Sequence, residues 1–382
     1  LKTTITNSVF TSVSELPSTW DDLAVATIFL QKNYLQVLEL SKPENMECFF
    51  IGFYKNEQLV GIALAQFLDL NKLASFGERD KCFKTAVRNF VFKKFCSHVL
   101  FIGNNMLTGQ NAFRFGAEIS IKNQTKALLD ATADLKKQFE KNGKKIHIVS
   151  FKDFEKQTAN SMAVQGMQSY FQFSAQPNMV FSIKKEWQSE TDYVAALTKK
   201  YRDQYKRARK KLEGIDRKKL DLEAIIAHEE TIYNLYEHVA KNAPFNTFFL
   251  AKNHFSVLKE NLGSNFLLYG YFMDQKLVGF STLIKNGAIM DTYFLGYDNE
   301  VQKEKMLYLN MLYDMVAYSI NKGFKEIVFA RTALEIKSSI GAKAVDMFGF
   351  IKHETAIIDS CIGRIFNFLE PKTEWKERNP FK

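Results

Sequence analysis

The sequence is poor in cysteine, proline and glycine, with 4, 6 and 18 of them in 382 residues. Cys48, Cys82, Cys96 and Cys361 form no CxxC pair, and the six histidines are equally scattered. That dispersion argues against a zinc site or a disulfide framework, so no metal is expected. Nothing in it demands an oxidising compartment. With so few prolines and glycines, and no low-complexity tract, a long flexible linker is not expected. No apolar run approaches the roughly 20 residues needed to cross a bilayer, so no integral membrane segment is expected. Residues Leu1–Phe10 lack the basic start and apolar run of a signal peptide. These absences together lead us to expect a cytoplasmic protein.

Aromatic residues are plentiful, with 35 Phe and 15 Tyr, which suits dense cores. The length suffices for two ordinary domains. The formal net charge is +10, and it is local. Between Lys199 and Lys219 stand eleven Lys or Arg against Asp203, Glu213 and Asp216, leaving the remainder nearly neutral. Leu197, Tyr201, Tyr205, Ala208 and Leu212 recur at helical spacing through this stretch. One helix over Tyr193–Glu213 is expected, opened by Ser189 or Thr191 and stopped by Gly214. Two readings stand: a solvated amphipathic helix, or a phosphate platform using Lys200, Arg202, Lys206 and Arg207. The anion would belong to a nucleotide-linked substrate, a tRNA or an acidic membrane surface.

Two segments repeat. FFIGFYKNEQLVGIALAQFL (Phe49–Leu68) and FLLYGYFMDQKLVGFSTLIK (Phe266–Lys285) each read as strand, polar turn, strand. Leu-Val-Gly follows the turn both times, and Gly52 and Gly61 are spaced as Gly270 and Gly279 are. After each hairpin come a third strand (His98–Gly109; Ala288–Asp298), a helix (Lys122–Lys141; Lys303–Lys322) and another strand (Lys145–Phe151; Glu326–Ala330). Closing strands are expected at Gln172–Ile183 and Ile357–Leu369, and a basic amphipathic helix within the insertion Asn71–Ser97. Further helices are expected at Leu23–Leu40, Leu222–Lys241 and Lys252–Leu262. The expected fold is mixed α/β (α+β), with two duplicated domains, 1–186 and 187–382, each a mixed central sheet flanked by helices.

This order of elements resembles the GNAT-like (Gcn5-related) acyltransferase unit. Its tandem duplication, with basic helical YVAALTKKYRDQYKRARKKLEG (Tyr193–Gly214) opening the second copy, resembles the FemAB-type aminoacyltransferases. FARTALEIKSSIGAKAVDMFGF (Phe329–Phe350) is similar to a stretch of the related bacterial BioF2-like acetyltransferases. The resemblance implies an acyltransferase that moves an acyl or aminoacyl group to an amine. It also implies an acceptor side in the first domain and a donor side in the second. Acetyltransferases of this kind cradle the coenzyme A pyrophosphate in a glycine-rich loop ahead of their main helix. The corresponding stretch here, Gly296–Asn310, has no glycine after Gly296. No bound cofactor is expected, and the co-substrate stays open between acyl-CoA, an acyl carrier and aminoacyl-tRNA. A tRNA-dependent enzyme acting on a cell-wall precursor is the alternative within enzymes. A non-enzymatic binder of nucleic acid or anionic membrane through the basic helix is the alternative of another class.

Charge gathers after the apolar strand Glu326–Ala330, at Arg331, Thr332, Glu335 and Lys337. Arg331, with Thr332 beside it, and Lys337 suit a phosphate or carboxylate. Glu335 is a candidate base for the amine nucleophile; the bland reading is an Arg331–Glu335 ion pair that pins a loop. Asp291 and Tyr293 share one side of the neighbouring strand and are further catalytic candidates. Asn104 and Asn105, in a strand-to-loop element of the first domain, are candidates for holding a small-molecule or phosphate-bearing acceptor.

Overall fold

The computed structural model describes residues 4–72, 95–243, 246–364 and 375–382. They form two compact units: 1–175, 246–251 and 346–372 in the first, and 176–245, 252–345 and 373–382 in the second. The boundary expected at 186 therefore lies inside the second unit, and a late stretch of chain belongs to the first. Most of the insertion Asn71–Ser97, with its expected helix, lies outside the described residues.

Unit 1 contains β1 (Thr6–Phe10), α1 (Trp20–Ala24), α2 (Lys32–Ser41), β2 (Met46–Lys55), β3 (Gln58–Asp69), β4 (His98–Ile102) and β5 (Phe113–Phe115). Then come α3 (Ile121–Lys141), β6 (Ile148–Phe154), α4 (Lys156–Val164) and the first residues of β7 (Phe171–Ser182). Its sheet runs β1-β2-β3-β4-β6, with β4 and β6 parallel. Helix α3 starts where Ser120 accepts the Asn123 N–H. It lays Ala127, Leu128, Ala131, Leu135 and Phe139 into the core and ends before left-handed Gly143. The strand that completes this sheet comes from far along the chain: Phe348–His353 lies antiparallel to β6.

Unit 2 continues β7 from Gln176 and adds α5 (Glu190–Ala196), α6 (Lys199–Lys211), β8 (Asp216–Leu220), α7 (Leu222–Ala227), α8 (Glu229–Asn242) and α9 (His254–Leu262). It continues with β9 (Phe266–Met273), β10 (Lys276–Asn286), β11 (Ile289–Thr292), β12 (Gly296–Tyr297), α10 (Asn299–Lys305) and α11 (Leu307–Asn321). Last come β13 (Glu326–Val328), α12 (Leu334–Ser339) and β14 (Lys343–His353), which leaves the unit at Asp346. The sheet runs β7-β13-β11-β10-β9-β8. Strand β13 is thus interior and runs parallel to β11. Each unit takes one strand of its sheet from the other half of the sequence.

The repeat survives at the level of single residues. Asn56 and Glu57 in one hairpin, and Asp274 and Gln275 in the other, all have positive φ, the pattern of a two-residue type I′ turn. Val60 and Val278 are each skipped by the ladder, giving the same bulge inside Leu-Val-Gly. Gly61 then faces Phe115 of β5, just as Gly279 faces Tyr297 of β12. A Cβ at Gly61 would lie 2.2 Å from the Phe115 ring, so only glycine fits that crossing.

Several expected elements differ. The helix expected over Tyr193–Glu213 is two, α5 and α6, broken at Leu197 and Thr198. Buried Leu197 bridges to Phe381, and the Thr198 N–H donates to the Pro380 carbonyl, so the tail segment takes the groups that a continuous helix would use. The helix expected at Lys303–Lys322 is likewise broken at left-handed Met306. The helix expected at Leu222–Lys241 breaks at His228. The closing strand expected at Ile357–Leu369 is instead β14. Ala356–Ser360 is a short helix, and Asp359 turns the chain by accepting the His353 N–H.

Candidate functional site

Residue alternation along unit 2's sheet decides which candidates share a face. Met290 and Ile327 point into the core formed with α11. Asp291 and Val328, which are paired across β11 and β13, therefore point to the other face. On that face Tyr293 Oη lies 3.0 Å from His254 Nε2 of α9. Asp291 is 5% exposed and accepts from Asn286 Nδ2 at 3.2 Å. Burial pushes its carboxyl up to about 7, against the pull of the Asn286 amide. Beyond Asp291 and Val328 the two parallel strands no longer pair.

Past β13 the chain makes a tight loop in which Ala330, Thr332 and Ala333 all have positive φ. The side chain of Lys337, on α12, holds it. Its Nζ donates to the carbonyls of Phe329 (2.6 Å), Ala330 (3.3 Å) and Arg331 (2.6 Å). Lys337 is 4% exposed, and burial pushes its ammonium down to about 7. Its donors are spent on this loop, not turned toward a ligand. Arg331 Nε donates to the Gln176 carbonyl at 3.1 Å, and Thr332 is exposed.

Glu335 does not meet Arg331. It pairs with Arg378 Nη2 at 2.8 Å and accepts the Lys376 N–H at 3.1 Å. The Arg378 hydrogen bond, then the Lys376 N–H, hold its carboxyl below the usual range, so it stays ionised at neutral pH. A carboxylate lowered in this way is a weaker proton acceptor than an ordinary one and serves as a fixed charge.

Glu335 lines a cavity of about 360 Å³ together with Lys200, Tyr201, Gln204, Ile336, Ser339 and Arg378. Helix α6 supplies one wall, α12 a second, and the tail after Thr373 a third. Of the basic-helix candidates, Lys200 alone lines this cavity. Lys206 and Arg207 are exposed farther along α6, and Arg202 is half-buried. A larger cavity of about 490 Å³ in unit 1 is edged by Arg364, next to residues outside the description.

Asn104 and Asn105 lie in unit 1 and serve its loop. Asn104 Nδ2 donates to Tyr34 Oη, and its Oδ1 accepts the Met106 N–H. Asn105 gives its backbone and side-chain N–H groups to Gln66 Oε1. The structure thus brings Lys200 and Glu335 together, places Asp291 and Tyr293 on the opposite sheet face, and leaves the two asparagines in the other unit.

A polar cluster escaped the sequence reading. Arg209 of α6 reaches Asp314 at 2.7 Å, Glu190 at 2.6 Å and Asn310 at 3.4 Å. Asp314 also accepts from Tyr271 Oη at 2.9 Å and lies 3.5 Å from Arg217 Nε. Burial opposes the Arg209 charge, but Asp314 and then Glu190 carry its affinity for the proton well above the ordinary value. The signal was present: Asn310 and Asp314 stand one turn apart in the otherwise apolar helix LYLNMLYDMVAYSIN. Gln204, Ser339 and Arg378 carried no comparable signal, since their meeting depends on where the tail docks.

The N-terminus of α11, where a glycine loop would hold a pyrophosphate, is differently built. Helix α10 precedes it, and Met306, not glycine, takes the left-handed position between them. Leu307 is fully buried. The Tyr308 N–H faces Gln302 Oε1 at 3.5 Å, and Asn310 Nδ2 donates to the carbonyls of Ala208, Lys305 and Met306. Lys305 Nζ donates to the Glu213 carbonyl.

Among the described residues no helix is long and apolar enough to cross a membrane, and no cluster of His, Cys, Asp or Glu has the makings of a metal site.

Residues 12–343 match the FemAB-like family model, described as peptidoglycan biosynthesis/recognition. Among solved structures, FemX is similar at TM-score 0.53 and 12% identity over 96% of this chain and 100% of FemX. A tandem GNAT protein from the clavulanic acid biosynthesis pathway, solved without AcCoA, is similar at TM-score 0.52 and 8% identity. That match covers 91% of this chain and 98% of the tandem GNAT chain. At these identities the likeness establishes the tandem GNAT-like fold. No curated protein matches the sequence.

Proposed function

The chain belongs to the FemAB-like family and is an acyl- or aminoacyltransferase, and from that premise we propose that its donor is an aminoacyl-tRNA and its acceptor an amine of a peptidoglycan precursor. The observation that supports this donor is the turn ahead of α11. Coenzyme A binding in GNAT-like units relies on backbone N–H groups brought close to the pyrophosphate by glycines. Here Met306 stands in the left-handed position that a glycine would take, a helix precedes it, and the Gln302 side-chain oxygen faces the Tyr308 N–H.

The charge distribution supports the same donor. Arg209 is consumed by Glu190 and Asp314, but Lys206 and Arg207 are exposed on α6. Such a face suits the repeating phosphates of an RNA stem. Transfer itself requires that the acceptor amine lose a proton and that the ester carbonyl be held against it. Asp291, with a carboxyl near neutrality in its proton affinity, is the acid–base candidate at the divergence of β11 and β13. Tyr293, hydrogen-bonded to His254, is the candidate proton donor to the leaving hydroxyl. Arg331 and Thr332 edge the loop at the end of β13 and are the candidates for the phosphate of the terminal nucleotide. We place the reaction in the cytoplasm of a bacterium, where both substrates occur, with peripheral contact to an anionic membrane compatible with the basic face.

The deciding experiment offers the purified protein a peptidoglycan precursor with either radiolabelled aminoacyl-tRNA or radiolabelled acetyl-CoA. Transfer of label from tRNA alone is expected. Transfer from acetyl-CoA, with none from tRNA, overturns the donor assignment.

A further inference from the structure

The cavity between α6, α12 and the tail segment has a composition that selects a ligand. Two cations, Lys200 and Arg378, line it against one carboxylate, Glu335. Arg378 is fixed in place: its Nη2 holds Glu335, and its backbone N–H donates to Ser338 Oγ at 3.0 Å. Lys200 Nζ has no carboxylate within ion-pair distance among the described residues and rests 5.4 Å above the Tyr201 ring. The positive excess sits where an anion would complete it.

The neutral lining adds a second requirement. Gln204 Nε2 donates to Tyr313 Oη at 3.3 Å and Ser339 Oγ at 3.2 Å. The amide is thereby oriented, with Oε1 left as the acceptor. Ser339 Oγ donates to the Ile336 carbonyl at 2.7 Å. The donors left for an anion are therefore those of Lys200 and Arg378, and the acceptor left for a ligand N–H is Gln204 Oε1. Tyr201 and Ile336 give an apolar wall. An anionic group, an N–H a few bonds away and a small apolar substituent between them describe the C-terminal residue of a peptide.

We propose that this cavity binds the C-terminal carboxylate of a short peptide, the carboxylate on Lys200 and Arg378 and the last peptide N–H on Gln204. The inference rests on the reading that the acceptor is a peptidoglycan precursor, for it supplies the part of that acceptor a peptide end would occupy. Glu335 holds the arginine fork in position and repels a ligand with a second negative charge, so a monoanionic carboxylate is favoured over a doubly charged phosphate.

Calorimetric titration of the full chain with N-acetyl-D-alanyl-D-alanine, with its C-terminal amide and with inorganic phosphate tests this directly. The free acid is expected to bind, and the amide to bind at least about tenfold more weakly, the value of a charge-assisted contact. Lys200→Gln is expected to weaken the free acid by a similar factor and leave the amide unchanged. Lys200 is on the cavity rim, so that variant keeps the fold even if Arg378→Gln loosens the tail. Equal binding of acid and amide, or no effect of Lys200→Gln, overturns the proposal. Binding of phosphate with none of the dipeptide makes the cavity a phosphate site and overturns it as well. The donor reading is separate: dipeptide failure with intact tRNA-dependent transfer sinks this inference alone, and dipeptide binding with no transfer from tRNA sinks the donor alone.

Discussion

Lys337 Nζ lies 2.6 Å from the carbonyl oxygen of Phe329, eight residues earlier, and so closes the loop that follows the interior strand β13. A neutral amine has two N–H groups and serves two of the three carbonyls there; only the ammonium serves all three. Burial nevertheless pushes the ammonium down to about 7. Between about 7 and the ordinary 10.5 the unfolded chain binds a proton that the folded chain has released, so stability rises with pH across that window. Lys337→Met leaves the carbonyls without their donor and is expected to destabilise by on the order of 3 kcal/mol. The gap between wild type and variant should widen from pH 7 to pH 10. Thermal melts across that range check it, and a gap that narrows would show the ammonium to be the stabilising form.

Asp291 has the opposite sign. Its carboxyl is pushed up to about 7 from an ordinary 3.8, so between those values the folded chain binds a proton that the unfolded chain has lost. Stability contributed by the neutral acid is present below about 4 and is lost as pH rises toward 7. Asp291→Asn keeps a neutral partner for Asn286 and removes the loss. The variant is expected to match wild type near pH 4 and to exceed it by up to about 4 kcal/mol above pH 7. Denaturant titrations at the two pH values measure this. If Asp291 is also the acid–base group, the same variant lowers kcat by a factor of about a hundred or more.

The duplication was legible because it is written in turn chemistry. Leu-Val-Gly after a polar turn specifies a hairpin, a bulge at the valine and a close crossing at the glycine, and all three recur in Val60–Gly61 and Val278–Gly279. The breaks at Thr198 and Met306 were not legible. Both segments keep helical spacing of apolar residues, and the interruption comes from the tail at Pro380–Phe381 in one case and from a single left-handed backbone in the other. The candidate site divided in the same way. Charge after β13 was visible in the sequence, but the partners of each charge were not, since Glu335 meets a residue more than forty positions away and Lys337 turns back onto its own loop.

Arg209 joins the basic helix to α11 through Asp314, and its loss should be felt as packing rather than as ligand affinity. Removing it leaves Asp314 with Tyr271 and the more distant Arg217. Because the pair is partly exposed, Arg209→Ala is expected to cost about 3 kcal/mol, the low end for breaking a buried ion pair. Asp314→Asn alone should also destabilise, and the double variant should cost less than the two single changes added together. A double-mutant cycle by urea denaturation measures the coupling; strict additivity would mean that the two side chains do not support each other.

Lys206 and Arg207 provide the converse case, since they are exposed and neither is in an ion pair among the described residues. Reversing both to Glu should leave the melting temperature within a degree or two of wild type, because surface changes of this kind shift stability by less than about 0.5 kcal/mol. If α6 carries tRNA phosphates, the reversal raises KM for aminoacyl-tRNA and leaves kcat in place. It also makes log KM less steep against log salt, with roughly one unit of slope lost for each phosphate contact removed. The salt dependence is the sharper readout, because a misfolded fraction lowers the apparent rate without changing that slope. An unchanged slope with both charges reversed would make the exposed face of α6 a solvated surface and would move the RNA contact elsewhere on unit 2.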